Sequence, residues 1–260
     1  MQLEPGEGET LDKLAGDWRI LQLRRGHRFS TDDLVLGWRA ALAAPGARRL
    51  LDLGCGIGSV GLSALWRIGA EDATLQGIEA QAISVGLARR TVRVNGLEER
   101  VRIHHADLRD EAPVGVAHGA FDLVTGSPPY IPEGKGVLSP VPQRAAARIE
   151  LRGSIFDYCA AARRYIAPGG RFGFVMAAAD PRTEEAPAQA GFTVVERWDI
   201  VFRAGREPHI AVLICGLSSD ALPARVEHRL VVRGEDGEFT DAYLQFRGDM
   251  GSPMSRRPMS

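Results

Sequence analysis

A chain of 260 residues with 45% apolar residues can bury a full α/β core, so neither a disulfide framework nor a structural metal is needed to hold it. A formal charge of −1 excludes a generally polycationic coat, although only Lys13 and Lys135 are lysines among 32 basic residues, and the remaining 30 are arginines. The scattered Cys55, Cys159 and Cys215, the absence of zinc-type Cys/His spacing and the lack of a leader or a run of ~20 apolar residues give an expectation of a metal-free, cytoplasmic protein with no membrane segment.

In chain order, residues 1–15 are acidic and Gly-rich and are expected to be disordered. Residues 16–247 form the expected domain, and 16–47 its N-terminal cap segment, a short strand followed by a helix over 32–43. Strands are expected at Arg49–Leu53, Thr74–Glu79, Val101–His104, Phe121–Gly126 and Arg171–Ala177. Helices are expected at Val60–Ile68, Ala82–Asn95, Ser154–Ala167 and Glu184–Ala190, with Asn95-Gly96 and Pro168-Gly169-Gly170 as stop signals. Phe192–Phe202 and His209–Gly216 read as a closing antiparallel pair, and 248–260 as a disordered tail. The alternation implies α/β, a Rossmann-like, seven-stranded, mostly parallel sheet with an antiparallel edge strand and helices on both faces.

Two segments carry chemistry. The first is Asp52-Leu53-Gly54-Cys55-Gly56-Ile57-Gly58, a turn from the first core strand into a helix. Glycines permit the sharp turn and let backbone approach a ligand, and the helix start offers unpaired N–H groups to a phosphate or carboxylate. Residues 56–61 also fit the dinucleotide spelling GxGxxG, so a nicotinamide cofactor has to be weighed. Three acids favour S-adenosylmethionine instead. Asp52 could hold the amino group of its methionine part. Glu79, ending the second strand, suits the ribose hydroxyls, and Asp107, after the third, suits the adenine amino group. Leu53, Gly54, Cys55 and Gly56 of the turn, Ala80 beside Glu79 and Leu108 beside Asp107 complete the expected cofactor pocket.

The second segment is Ser127-Pro128-Pro129-Tyr130, at the end of the fourth strand and so at the ligand-binding edge of an open α/β sheet. Two prolines fix the backbone and remove two N–H donors, leaving carbonyls to accept. Ser127 adds an oxygen and Tyr130 an aromatic plane. Acceptors on both N–H bonds of a conjugated amino group restore its lone pair and stabilise the charge that develops during methylation. These four residues are the candidate catalytic set, with Ser127 also reaching the cofactor. His104, His105 and His209 lie near strand ends, and this chemistry needs none of them.

At these residues the chain resembles the amino-methyltransferases with the motif (Asn/Asp/Ser)-Pro-Pro-(Tyr/Phe/Trp), and is most similar to the bacterial small-domain family that includes the valine-tRNA adenine-N6 methyltransferases. The resemblance runs from about Arg24 to Phe246 and takes in softer matches at residues 27–37, 136–140, 144–150, 203–208 and 237–241. It implies that Thr31 and Asp32 in the cap segment contact the cofactor, and that the substrate is an exocyclic amino group of a nucleic-acid base, foremost adenine-N6 in tRNA. Serine at 127 departs from the family's usual Asn and is also found among cytosine-N4 methyltransferases. RNA would be gripped by an Arg-rich rim drawn from Arg19, Arg24, Arg25 and Arg28; Arg89, Arg90 and Arg93; Arg144, Arg148 and Arg152; and Arg163 and Arg164. Competing readings are a protein glutamine-N5 methyltransferase, which usually carries a helical N-terminal domain that about 45 residues could not supply, a small-molecule N-methyltransferase, and a cofactor-binding module without catalysis. The sequence leaves the oligomeric state open.

Overall fold

The structure, a computed structural model, describes residues 4–132, 134, 143 and 149–254. The expected alternation is present. Core strands β3 (Arg49–Leu53), β4 (Thr74–Glu79), β5 (Val101–His105), β6 (Phe121–Gly126) and β7 (Ile166–Ala177) alternate with α2 (Ser59–Ile68), α3 (Ala82–Val94) and α4 (Ile155–Tyr165). They are preceded by β1 (Glu9–Ala15), β2 (Trp18–Leu23) and α1 (Thr31–Ala43), and followed by α5 (Arg182–Gln189), β8 (Phe192–Val201), β9 (Ile210–Leu217), β10 (Val226–Val231) and α6 (Asp241–Asp249).

The main sheet has eight strands in the order β10-β8-β9-β7-β6-β3-β4-β5. Two details differ from the seven-stranded expectation. The antiparallel strand, β9, is inserted between β7 and β8 and hydrogen-bonded on both sides. The outer edge is β10, which runs parallel to β8. The cause is chain order: β8 takes the outer place after α5, and the return strand fills the gap it leaves.

Alternation along each strand sorts the core into two layers. Leu50 and Leu123 face the layer formed with α1, α2 and α3, while Leu51, Leu53 and Val124 face the layer formed with α4. Asp52 falls on the α2 side. Helix α1 begins with a capping box in which the Ser30 side chain and the Asp33 carboxylate satisfy each other's backbone N–H groups, and α4 begins with the same device between Ser154 and Asp157.

Described residues near both ends depart from the expected disorder. Glu9–Ala15 pairs antiparallel with β2, and Leu14 and Ala15 are buried. The hairpin is pinned to the rest by Thr91, whose Oγ1 accepts from the Leu21 N–H at 3.0 Å, and by the Arg90–Glu9 pair at 2.8 Å. At the other end, α6 buries Phe246 against Trp38, and Met250 is fully buried with its carbonyl accepting from the Gly16 N–H at 3.0 Å. Helix α4 also ends two residues earlier than expected. Pro168-Gly169-Gly170 lies within β7, where the pairing with β6 shifts register between Phe121 and Leu123.

Candidate active site

The carboxyl ends of β3, β4, β5 and β6 point to one sheet edge, and each strand delivers one expected element there. Together they open onto a single cavity of about 520 Å³. Its wall includes Gly54, Cys55 and Gly56 from the turn, Glu79 at the end of β4 and Ala80 after it, Asp107 and Leu108 after β5, and the whole corner from Ser127 to Tyr130. Asp32 and Asp52 also reach it. Two expected contacts do not: Leu53 is fully buried in the α4 layer, and Thr31, the first residue of α1, lies off the wall. Each is next in sequence to a lining residue and points elsewhere because the backbone alternates or turns.

The glycine turn has φ of +58° at Gly54, +55° at Gly56 and +93° at Gly58, a region that L side chains rarely enter. A Cβ on Gly54 would also strike the hydroxyl of Tyr158, and one on Gly126 its ring. Tyr158 of α4 therefore sits directly beneath both segments. No local pattern marks it, because only the close approach of α4 puts it there.

The three acids at strand ends behave differently. Asp52 is 1% exposed, and its carboxylate accepts from the Gly61 N–H at 3.0 Å and the Thr125 hydroxyl at 2.8 Å. It straps β3 to α2 and β6 from behind the turn, so its oxygens serve the scaffold before any ligand. Burial pushes its carboxyl up to about 6. Glu79 accepts from the Gln81 N–H at 2.6 Å and the Gly56 N–H at 2.9 Å, and burial outweighs these bonds to raise its carboxyl. Asp107 is held below the ordinary carboxylate value by Arg109, which donates at 2.9 and 2.7 Å.

Asp33, not singled out beforehand, is fully buried at the cavity wall. It accepts from Ser59 Oγ at 3.2 Å, and burial and the adjacent Asp32 charge hold its carboxyl well above the carboxylate range. Tyr130 donates its hydroxyl to Asp32 at 3.0 Å. Burial, followed by the Asp32 and Asp33 charges, pushes its phenol up. Among the described residues, no hydrogen bond reaches the carbonyls of Ser127, Pro128 or Pro129.

Of the arginines named above, Arg24, Arg25, Arg28 and Arg152 line the cavity. Arg28 is engaged there with Asp12 and Thr10, both at 3.0 Å. Arg89 and Arg90 are used in packing: Arg89 donates to the Ile103 carbonyl at 2.8 Å, and Arg90 pairs with Glu9. Arg164 donates to the carbonyls of Leu108 and Asp110. Arg144, Arg148 and residues 136–140 lie outside the described residues. His209 reaches the wall from the start of β9, and Gln143 accepts from the His27 N–H at 2.8 Å. No group of three His, Cys, Asp or Glu among the described residues could hold a metal, and no described helix is long and apolar enough to cross a membrane.

A glycine turn, acids at successive strand ends and an antiparallel β9 within a parallel sheet define a Rossmann-like, nucleotide-cofactor α/β enzyme. Residues 38–185 match the methyltransferase small domain, and the chain belongs to that family. It is an S-adenosylmethionine-dependent methyltransferase, and the cavity suits that cofactor: Gly56 leaves open space, and Glu79 and Asp107 bring carboxylates to the wall.

Among curated proteins, the chain is similar to the tRNA1(Val) (adenine(37)-N6)-methyltransferase of Escherichia coli O157:H7, at 26% identity over 83% of this chain and 84% of the relative. It is equally similar, at 26%, to the enzyme of that name from Tolumonas auensis, over 92% of this chain and 95% of the relative. Among solved structures, a predicted O-methyltransferase from Agrobacterium tumefaciens superposes with a TM-score of 0.62 at 19% identity, covering 88% of this chain and all of that one. P. horikoshii TYW2 in complex with MeSAdo superposes at 0.56 and 14% identity, covering 82% and 73%. These superpositions establish the fold.

Proposed function

We propose that the protein methylates the exocyclic amino group of a nucleic-acid base, with adenine-N6 in tRNA as the foremost substrate. The observation that carries this reading is the Ser127–Tyr130 corner opening into the same cavity as the glycine turn, with its carbonyls uncommitted. The names of the similar curated proteins support the choice of adenine and tRNA.

In this reading the cofactor lies along the sheet edge. Glu79 accepts from the ribose hydroxyls, Asp107 from the adenine amino group, and the N–H groups at the start of α2 face the methionine carboxylate. Asp52 contributes negative potential from beneath the turn. The bound cofactor supplies an activated methyl group. Ser127 Oγ and the Pro128 carbonyl take the two N–H bonds of the incoming amino group, and Tyr130 presents its ring to the base. Arg24, Arg25 and Arg152 stand at the mouth, where phosphates of an RNA strand would pass.

The test is incubation of the purified protein with labelled cofactor and total tRNA, followed by nucleoside mass spectrometry. N6-methyladenosine is the expected product. Methylcytidine would move the reading to cytosine-N4. Label in a protein glutamine, with none in RNA, would refute it.

A further inference from the structure

We propose that Asp32 is a positioning residue that acts through Tyr130: by taking the phenol proton it holds the ring of the diproline corner in place for the substrate. The inference rests on the functional reading above and departs from the expectation that Asp32 touches the cofactor.

Asp32 lies in the first turn of α1, in a segment far from the diproline corner in sequence, and meets Tyr130 across the cavity at 3.0 Å. Ser30 Oγ donates to the other carboxylate oxygen, so the carboxylate is oriented at both ends. Asp33 beside it is fully buried and tied to Ser59 and the Ser30 N–H, which fixes the helix start that presents Asp32. A phenol has one proton, and giving it to Asp32 fixes the ring of Tyr130 between the start of α1 and the diproline corner.

The bond ties the cap segment to the corner across the cavity, so the ring that would meet the base is held from outside its own loop. No covalent step is involved; only the orientation of a ring and its hydroxyl proton is set.

The test compares Asp32→Ala, Asp32→Asn, Tyr130→Phe and the Asp32→Ala/Tyr130→Phe double variant. Kd for S-adenosylhomocysteine is measured by calorimetry, with kcat and KM on tRNA. Asp32→Ala should lower kcat by about ten- to a hundredfold, the worth of a hydrogen bond to a charged group, with Kd within about twofold of wild type. Asp32→Asn, which keeps an acceptor, should recover most of that loss. Adding Asp32→Ala to Tyr130→Phe should cost nothing further. A readout free of turnover is the hydroxyl proton of Tyr130 in protein labelled with ¹³Cζ-tyrosine. It should be protected from exchange in wild type and lost in Asp32→Ala.

A tenfold loss of S-adenosylhomocysteine affinity in Asp32→Ala with normal kcat would overturn the proposal and make Asp32 a cofactor ligand. Additive losses in the double variant, or a phenol proton unaffected by Asp32→Ala, would also overturn it. If wild type methylates no tRNA while the protected proton depends on Asp32, the functional reading fails and the Asp32–Tyr130 linkage survives.

Discussion

Replacing Asp52 by Asn turns a buried charge into a neutral group of the same shape, and the consequence for stability has a definite sign. In the folded protein the carboxyl is pushed up to about 6 from an ordinary value of 3.8, with burial as the first cause. An acid raised on folding binds its proton more tightly in the native state, so its contribution is complete below the unfolded value and is lost as pH rises through the folded one. The gap between 3.8 and about 6 corresponds to roughly 3 kcal/mol. Relative to Asp52→Asn, wild-type apoprotein should therefore lose roughly that much stability between about pH 4 and pH 6.5, and the offset from the variant should then hold constant above it. Asp33 and Glu79 are also raised and both remain in the variant, so the difference reports position 52 together with its charge coupling to these two neighbours. The assay is urea denaturation of both proteins at half-unit steps from pH 4.5 to 7.5. A difference that stays constant over that range, or shrinks as pH rises, would refute the reasoning.

Other expectations bear on the cavity. Gly56→Val should leave the secondary structure intact by circular dichroism, lower the melting temperature by a few degrees for a strain of about 1–2 kcal/mol, and abolish calorimetric binding of S-adenosylhomocysteine, since its φ is +55° and its Cβ would project into open cavity space. Tyr130→Ala should fold normally and lower kcat/KM on tRNA by about ten- to a hundredfold, with cofactor affinity retained. Arg24→Ala/Arg25→Ala should raise KM for tRNA without changing Kd for the cofactor, and should reduce the slope of log affinity against log salt by about 1–2.

The βα alternation was legible because buried parallel strands write themselves as short apolar runs: Arg49–Leu53, Thr74–Glu79 and Phe121–Gly126 begin and end where expected. Strand β10 was not legible. Its sequence, Val-Glu-His-Arg-Leu-Val, is largely exposed, and it joins the sheet through backbone bonds to β8 that leave no side-chain pattern. Strand β1 was masked by charges, yet Asp12 and Glu9 are the groups that anchor Arg28 and Arg90. At the site, Glu79, Asp107 and Ser127 at the strand ends reach the cavity wall as expected, and so does Asp32 on α1, whereas Tyr158 and Asp33, also carried on helices, were not singled out. Glu79 ends β4, Ser127 directly follows β6 and Asp107 stands two residues beyond β5, where spacing locates them. Tyr158 and Asp33 converge only once α4 and α1 are packed, which no local pattern records. Asp52 was found for its charge, and its strap to Gly61 and Thr125 emerges from the register of three elements.

The bond from the Gly16 N–H to the Met250 carbonyl closes the described chain into a loop. The hairpin turn it secures belongs to the element that carries Asp12, and Asp12 holds Arg28 on the cavity wall. Opening that seam at the far end of the polypeptide would slacken the hairpin first and loosen the guanidinium second. The last described helix, remote from the glycine turn, is in this sense a keystone for one wall of the cavity.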